Sequence, residues 1–271
     1  MKHFLCMLIA AMSLMALWGC SDSSETLPAE TAPTTAATEE TWIEEIYTEA
    51  TTFPTAPPET TLSLHSDLYI PDVSVEDVIL YFDEVCLNAE FVNSGDPTLL
   101  QKWTDPIFYH IHGELTETDQ AVLTAFADSL NALPGFPGIY ESQDALVTNL
   151  SIFFCDQQYM LELMGDQFLG MDGGVTFWYN DENVIYDAII CCRTDLTQQL
   201  RNSVILEEIY NGLGPIQDTS FREDSIIYSE LSEPQQLTDV DWLLLKLLYH
   251  PDMKCGMTAA QCEAVIRQLY Y

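Results

Sequence analysis

Residues 21–64 divide the chain into unequal parts. This stretch contains no Lys or Arg, but it holds nine acidic residues, twelve Thr and five Pro. A segment with so little apolar material cannot bury enough surface to offset the entropy lost on ordering. We therefore expect a disordered tether here, and a folded domain can only lie in residues 65–271.

The part of the chain after the tether is strongly acidic. The protein has 43 Asp and Glu against 8 Lys and Arg, and since the tether takes nine of the acids, 34 remain for residues 65–271. Nucleic acids and anionic lipid headgroups both require clustered Lys and Arg. The charge therefore excludes nucleic acid partners, although a chain that is 48% hydrophobic can still build a core.

The chain begins with an apolar run over residues 4–17. This run is too short to cross a bilayer, and its length is typical of the hydrophobic region of a secretory signal. We expect a signal peptide over residues 1–19, which implies a position outside the cytoplasm.

A cysteine follows directly after this signal. The sequence Leu17-Trp18-Gly19-Cys20 resembles a bacterial lipoprotein box, which implies cleavage before Cys20 and lipidation of its thiol. The alternative is an ordinary signal peptide that happens to contain a cysteine. The resemblance predicts a lipidated Cys20 at the start of a tether over residues 20–64. The membrane is then one partner, and the protein is anchored at the extracytoplasmic face of the cell membrane.

Hydrophobic spacing in residues 65–271 switches between helical and extended patterns. We interpret this region as a single α+β domain, with a hairpin formed by its last two strands. Predicted helices begin near Ser74 and cover residues 116–133, 157–164, 195–212, 238–249 and 258–270. Predicted strands cover residues 107–111, 150–155, 175–179 and 184–192.

Six cysteines remain after those of the signal and the lipid are removed. An even number outside the cytoplasm permits disulfides, and free buried thiols are the alternative. Adjacent strand residues point to opposite faces, so Cys155 can pair with only one of Cys191 and Cys192. A local bridge between Cys255 and Cys262 is a further prediction. The six candidates are Cys86, Cys155, Cys191, Cys192, Cys255 and Cys262.

The most specific pattern lies between Arg201 and Met257. It consists of Glu207-Glu208, Gly212-Leu213-Gly214, Asp218, Ser225-Ile226-Ile227-Tyr228, Leu237-Thr238-x-x-Asp241 and Leu248-Tyr249-x-Pro251…Gly256-Met257. Together with Lys102-Trp103, these segments resemble an uncharacterised bacterial family, domain of unknown function 2927. The resemblance covers residues from about 100 to 260 and implies no particular activity.

The same segment is more distantly similar to the metzincin proteases. Their motif is His-Glu-x-x-His-x-x-Gly-x-x-His, followed by a turn that contains Met. In this register Glu207, Asn211 and Gln217 occupy the three zinc-ligand positions, Glu208 that of the catalytic Glu, and Ile227 that of the Met. The resemblance implies a zincin-like mixed sheet with packed helices.

The missing histidines decide the expected chemistry. Side-chain amides are poor zinc ligands, so we expect no catalytic zinc and no cofactor. Without a metal-bound water, Glu208 has nothing to deprotonate in the protease mechanism, although it remains the candidate catalytic residue. Glu207, Glu208, Asp218 and Asp241 could instead hold a hard cation such as calcium. Capping and solvated roles are the favoured alternative.

His110 and His112 form a separate pair of candidate ligands. The two side chains share one face of a predicted strand, but the sequence offers no third ligand. We favour a surface pair without a metal.

Two functions follow. The first is a non-catalytic binding domain of a lipoprotein, on a zincin-like scaffold without zinc ligands, with a partner in the cell wall or among other envelope proteins. The second is a surface hydrolase, acting on peptide or wall polymer through the remaining carboxylates or an unrecognised metal. We favour the first.

Overall fold

A mixed sheet lies at the centre of the fold. The structure, a computed structural model, describes residues 66–87, 98–144, 146–230 and 233–270. Six strands are found there: β1 Lys102–Trp103, β2 Ile107–His112, β3 Ile139–Glu141, β4 Leu150–Cys155, β5 Gly173–Tyr179 and β6 Val184–Arg193. Strands β3, β2, β4 and β6 are neighbours in that order and run parallel. The start of β6 also pairs in parallel with β1, and β5 pairs with β6 antiparallel.

Helices begin where short polar residues cap them. Thr116 and Thr238 each form a capping box with an Asp three residues later, and Thr197 caps a third helix. The described helices are α1 Val75–Leu87, α2 Glu117–Asn131, α3 Gln157–Met164, α4 Gln198–Gly212, α5 Asp239–Leu248 and α6 Ala259–Leu269. A short 3₁₀ turn at Asp166–Phe168 follows α3.

The two faces of the sheet have different surroundings. On the first, here called the α4 face, Phe154, Ile190 and Cys192 join the main hydrophobic core, and α4 packs against β5 and β6. On the second, the α3 face, a separate small cluster lies under α3 and the 3₁₀ turn. We call it the sulfur cluster, and it consists of Cys155, Met160, Met164, Phe168, Met171 and Cys191.

The predicted α+β class is confirmed, and most elements lie within a few residues of their predicted positions. The helix expected from Asp195 begins at Gln198, because Thr197 provides its cap. The hairpin between β5 and β6 is present, and Asn183 in its turn has a positive φ of 61°. Strands β1 and β3 were not predicted.

All described residues belong to one compact unit. None of the helices formed by these residues combines the length and the apolar character that crossing a membrane requires. The predicted signal peptide, Cys20 and the tether lie outside the described residues.

Candidate functional site

Helix α4 carries the residues that align with the metzincin motif, and it is an interior helix. The exposed fractions of Glu207, Glu208 and Asn211 are 7%, 0% and 4%. The helix packs against α2 on one side and against β5 and β6 on the other. Buried carboxylates of this kind are costly unless the surrounding structure accommodates them, so their neighbours define what they do.

The Glu208 side chain lies against the backbone of β5. A Cβ atom added to Gly173 would lie 2.6 Å from Glu208 Oε1 and 2.5 Å from Val204 Cγ1, so only glycine leaves room for both side chains. Burial raises the pKa of the Cys192 thiol well above its usual value, and the charge of Glu208 raises it further. The carboxylate therefore fills a gap between α4 and the sheet.

The other aligned positions do not join Glu208 in a metal site. Gln217 is half-buried in the segment after α4, beyond the turn at Gly214. Among the described residues, no group of three or more His, Cys, Asp and Glu side chains is arranged to hold a metal ion. The hypothesis that Glu207, Glu208, Asp218 and Asp241 gather around a hard cation is thus not supported by their placement.

The end of α4 is closed by side chains from the family pattern. The indole Nε1 of Trp103 donates to the carbonyl of Gly212 at 2.8 Å, and the Tyr249 hydroxyl donates to the carbonyl of Leu213 at 2.8 Å. These bonds satisfy carbonyls that a helix end leaves without an internal partner. Gly214 follows with a φ of 130°, and a Cβ there would lie 2.7 Å from the Gln101 carbonyl oxygen.

Lys102 closes the end of α5 in the same way. Its Nζ donates to the carbonyls of Leu248 at 2.7 Å and Met253 at 2.6 Å, and it lies 5.6 Å from the centre of the Tyr249 ring. Burial lowers the pKa of this ammonium group to about 8. The Lys102-Trp103 pair thus holds the C-terminal ends of two helices at strand β1.

Asp241 joins the Ser225-Ile226-Ile227-Tyr228 turn to α5. Its carboxylate accepts hydrogen bonds from the Ser225 hydroxyl at 2.6 Å and from the backbone amide of Thr238 at 2.7 Å. It also accepts from the backbone amide of Ile226 at 3.3 Å and from the Tyr81 hydroxyl at 3.4 Å. The favoured prediction for Asp241, an acid at a helix N-terminus, agrees with this geometry.

A buried ion pair between α2 and α4 was not predicted. Arg201 Nε lies 2.9 Å from Asp119 Oδ1, and both side chains are buried. Burial raises the pKa of Asp119, but hydrogen bonds from Arg201, Thr116 and Gln198 outweigh it, so the pKa lies below its usual value. In the sequence, Asp119 can be recognised as the acid of the Thr116 capping box. That pattern does not predict its ion pair with Arg201.

The six candidate disulfide cysteines are free thiols in the structure. Cys191 lies in the sulfur cluster and Cys192 in the main core, so the two adjacent residues do face opposite sides. The Cys255 thiol contacts the Lys102 carbonyl at 3.6 Å, whereas Cys262 on α6 lies close enough to Cys86 on α1 to raise the pKa of that thiol. The predicted local bridge between Cys255 and Cys262 is absent.

Cys155 and Cys191 are neighbours in the sulfur cluster. A hydrogen bond from the Cys191 thiol lowers the pKa of Cys155, and the same bond, followed by burial, raises that of Cys191. Cys155 thus shares a cluster with Cys191 and not with Cys192, and no disulfide joins any of the three.

The histidine pair is present on the α3 face of β2. The ring centres of His110 and His112 are 4.8 Å apart, and His112 stacks on Phe153 at 4.3 Å. His110 Nδ1 lies 2.8 Å from the carbonyl oxygen of Ser142. Burial lowers the pKa of His112, with a further contribution from His110. Both half-buried rings are thus held by contacts within the protein.

The part of the chain that the structure describes includes two cavities large enough for a small ligand or a partner's side chain. One of about 510 Å³ is lined by Lys102, His250 and Lys254 beside Tyr249. The other, of about 500 Å³, lies between α2 and α5 and is lined mainly by apolar side chains, including Phe126 and Trp242.

The family model described as a protein of unknown function (DUF2927) matches residues 76–268. This is more than half of the chain, and the chain belongs to that family. The match is wider than the predicted core of residues 100–260, because it also takes in most of α1 and α6. A comparison with curated proteins finds no match.

Proposed function

We propose that this protein is an extracytoplasmic lipoprotein whose folded domain is a non-catalytic binding module on a zincin-like scaffold without zinc. The observation that carries the proposal is the burial of Glu208 and Asn211 within α4. In a hydrolase the general base must reach a water and the substrate. Here the aligned Glu is packed between its own helix and Gly173.

The placement of the family pattern supports the same proposal. Trp103 and Tyr249 close the end of α4, Lys102 closes the end of α5, and Asp241 holds the Ser-Ile-Ile-Tyr turn. Each of these residues is used by the scaffold. Asp241, which was a candidate cation ligand, is therefore accounted for by capping.

The lipid anchor is supported by the sequence Leu17-Trp18-Gly19-Cys20 after an apolar segment of signal length. A tether with nine acids and no bases then holds the domain away from an anionic membrane. The acidity of the domain favours a basic partner, in the cell wall or among envelope proteins. We therefore expect the domain to bind isolated envelopes more weakly at high salt than at low salt.

The anchor is tested by substitution of Cys20. In cells fed a labelled fatty acid, we expect label in the wild-type chain and none in Cys20→Ala, which should also leave the membrane fraction. A Cys20→Ala chain that stays labelled and membrane-bound would contradict the anchor.

The absence of catalysis is tested on peptides and on isolated wall polymer. The full chain, Glu208→Gln, and the exposed control Glu162→Gln should show the same background turnover. Turnover by the wild type and the control that Glu208→Gln abolishes would replace the proposal with the surface hydrolase.

A further inference from the structure

Sulfur is concentrated at one place in the domain. Residues 65–271 contain six Cys and five Met, and five of these eleven residues lie in the sulfur cluster. The remaining member of the cluster is Phe168. A small satellite core needs only apolar side chains of suitable volume, so this composition calls for a chemical reason.

The two thiols of the cluster come from neighbouring strands. Cys155 is the last residue of β4, Cys191 lies in β6, and both side chains belong to the sulfur cluster on the α3 face. The pair depends on the parallel alignment of the two strands, in which Phe153 is level with Cys191 and Cys155 is level with Arg193.

This register is unfavourable for a disulfide. Cys155 lies two residues beyond the partner of Cys191. With a rise of about 3.3 Å per residue and a strand separation of about 4.8 Å, their Cα atoms are about 8 Å apart. A disulfide usually spans about 4.4–6.8 Å between Cα atoms. Two thiols that share a cluster above widely spaced Cα atoms suit a shared ligand better than a covalent bond.

Methionines surround the thiol pair from α3 and the loop after it. Met160 and Met164 are one turn apart and share a face of α3. The loop is fixed, because Gln157 Nε2 donates to the carbonyl of Phe168 at 3.2 Å and Arg193 Nη1 donates to the carbonyl of Met171 at 3.1 Å. The backbone on both sides of Leu169 and Gly170, including that of Met171, is thus held beside the ends of β4 and β6.

We propose that the sulfur cluster is a binding site for a soft monovalent metal ion, Cu(I). The thiolates of Cys155 and Cys191 would be the charged ligands, and thioether sulfur from Met160, Met164 or Met171 would complete the coordination. Thiolate and thioether ligands select Cu(I) over hard cations. Each thiol gives up its proton to solvent when the ion binds, so two protons are released for one ion.

The ion has a route into the cluster. Cys155 and Met164 each keep 9% of their surface exposed, whereas Cys191 and Met160 are fully buried. The site therefore opens at the end of the strands, beside Arg193 and its partner Asp195 at 2.7 Å.

The experiment is a Cu(I) titration of the reduced full chain, in detergent and without oxygen, against the chromophoric chelator bicinchoninate. We expect the wild type to remove about one equivalent of Cu(I) from the chelator. Cys155→Ser and Cys191→Ser should lose this copper, and Cys86→Ser, a buried thiol of the main core, should keep it. X-ray absorption at the copper edge should show sulfur as the only ligand element.

A variant of the methionines distinguishes the loss of a copper ligand from the unfolding of the protein. Met160→Leu with Met164→Leu and Met171→Leu conserves volume, so it should keep the circular dichroism spectrum while it weakens copper binding. The proposal is overturned if the reduced wild type takes up no copper, or if Cys86→Ser loses as much as Cys155→Ser. A Cys155–Cys191 disulfide in peptide maps of protein isolated from cells would also overturn it.

Discussion

Cys191 and Cys192 are adjacent in β6, yet their surroundings differ. Cys192 faces the main core, where α4 covers the sheet and Glu208 lies nearby. Cys191 faces the sulfur cluster, which is covered by α3 and a short loop. One face of the sheet packs into the large main core, and the other packs into the small sulfur cluster.

The two faces of the sheet differ in what their polar and sulfur-containing side chains do. On the α4 face, the polar residues of the family pattern satisfy helix ends or join elements, as Trp103 and Asp241 do. On the α3 face, Cys155 and Cys191 are not needed to close a helix or a turn, and they lie among donors suited to one kind of metal. The residues that align with the metzincin motif lie on α4, whereas the concentration of Cys and Met lies on the α3 face of the sheet.

The largest difference is expected between two Arg–Asp pairs. Asp119→Ala leaves the buried Arg201 without its carboxylate and should lower the free energy of unfolding by about 3–5 kcal/mol. Asp195→Ala removes the half-exposed partner of Arg193 and should cost about 0–1 kcal/mol. Urea unfolding of both variants measures the difference. Similar losses in the free energy of unfolding would show that the two ion pairs stabilise the two faces equally, which would contradict this expectation.

Two neighbouring isoleucines of β6 give the next test. Ile190 is fully buried on the α4 face, so Ile190→Ala should cost about 2–5 kcal/mol. Ile189 is partly buried against the sulfur cluster, so its truncation should cost about 1–2 kcal/mol by the area it buries. Chemical denaturation of both variants is the measurement, and a larger loss at Ile189 would reverse the assignment of the main core.

Two adjacent glycines of β5 face opposite sides of the sheet and give a third test. A Cβ at Gly173 meets Val204 and Glu208, and a Cβ at Gly174 meets the Phe168 ring at 2.5 Å. Each alanine variant should lose about 1–3 kcal/mol through overpacking. Only Gly174→Ala should also weaken copper binding, as the bicinchoninate competition measures. An equal effect of Gly173→Ala on copper would contradict the separation of the faces.

The smallest effect concerns acid stability. Because the pKa of Asp119 is lowered in the folded protein, its ionised form stabilises the α4 face above the unfolded pKa of about 3.9. This contribution is lost as the pH falls through the folded pKa. As the pH falls from 5 towards the acid transition, the melting temperature of Asp119→Asn should therefore decrease less than that of the wild type. Thermal melts at intervals of about half a pH unit measure this difference. If the melting temperatures of the two proteins fall equally with pH, the Asp119 carboxylate does not contribute to the acid dependence of stability.

Local signals explain why much of the fold could be predicted from the sequence. Thr116 and Thr238 mark helix starts through capping boxes, and the β5–β6 hairpin has strong strand signals on both sides of its turn. Strands β1 and β3 have two and three residues, too few for a period to emerge.

The site was harder to predict, because it depends on tertiary contacts. Glu208 reads as a solvated or catalytic acid in isolation, and only the approach of Gly173 shows that it is an interior residue. The placement of Cys155 and Cys191 in one cluster requires the strand order and the register of β4 and β6, which the sequence pattern of either strand does not specify.

Helix α4 is assigned to the scaffold, so we expect it to bind no zinc. The most direct test is elemental analysis of the full chain after incubation with Zn²⁺ and extensive dialysis, with Glu207→Gln as the matched variant. The account predicts no zinc that depends on Glu207. Retention of about one zinc per wild-type chain, lost in Glu207→Gln, would show that α4 holds a metal site and would contradict the account.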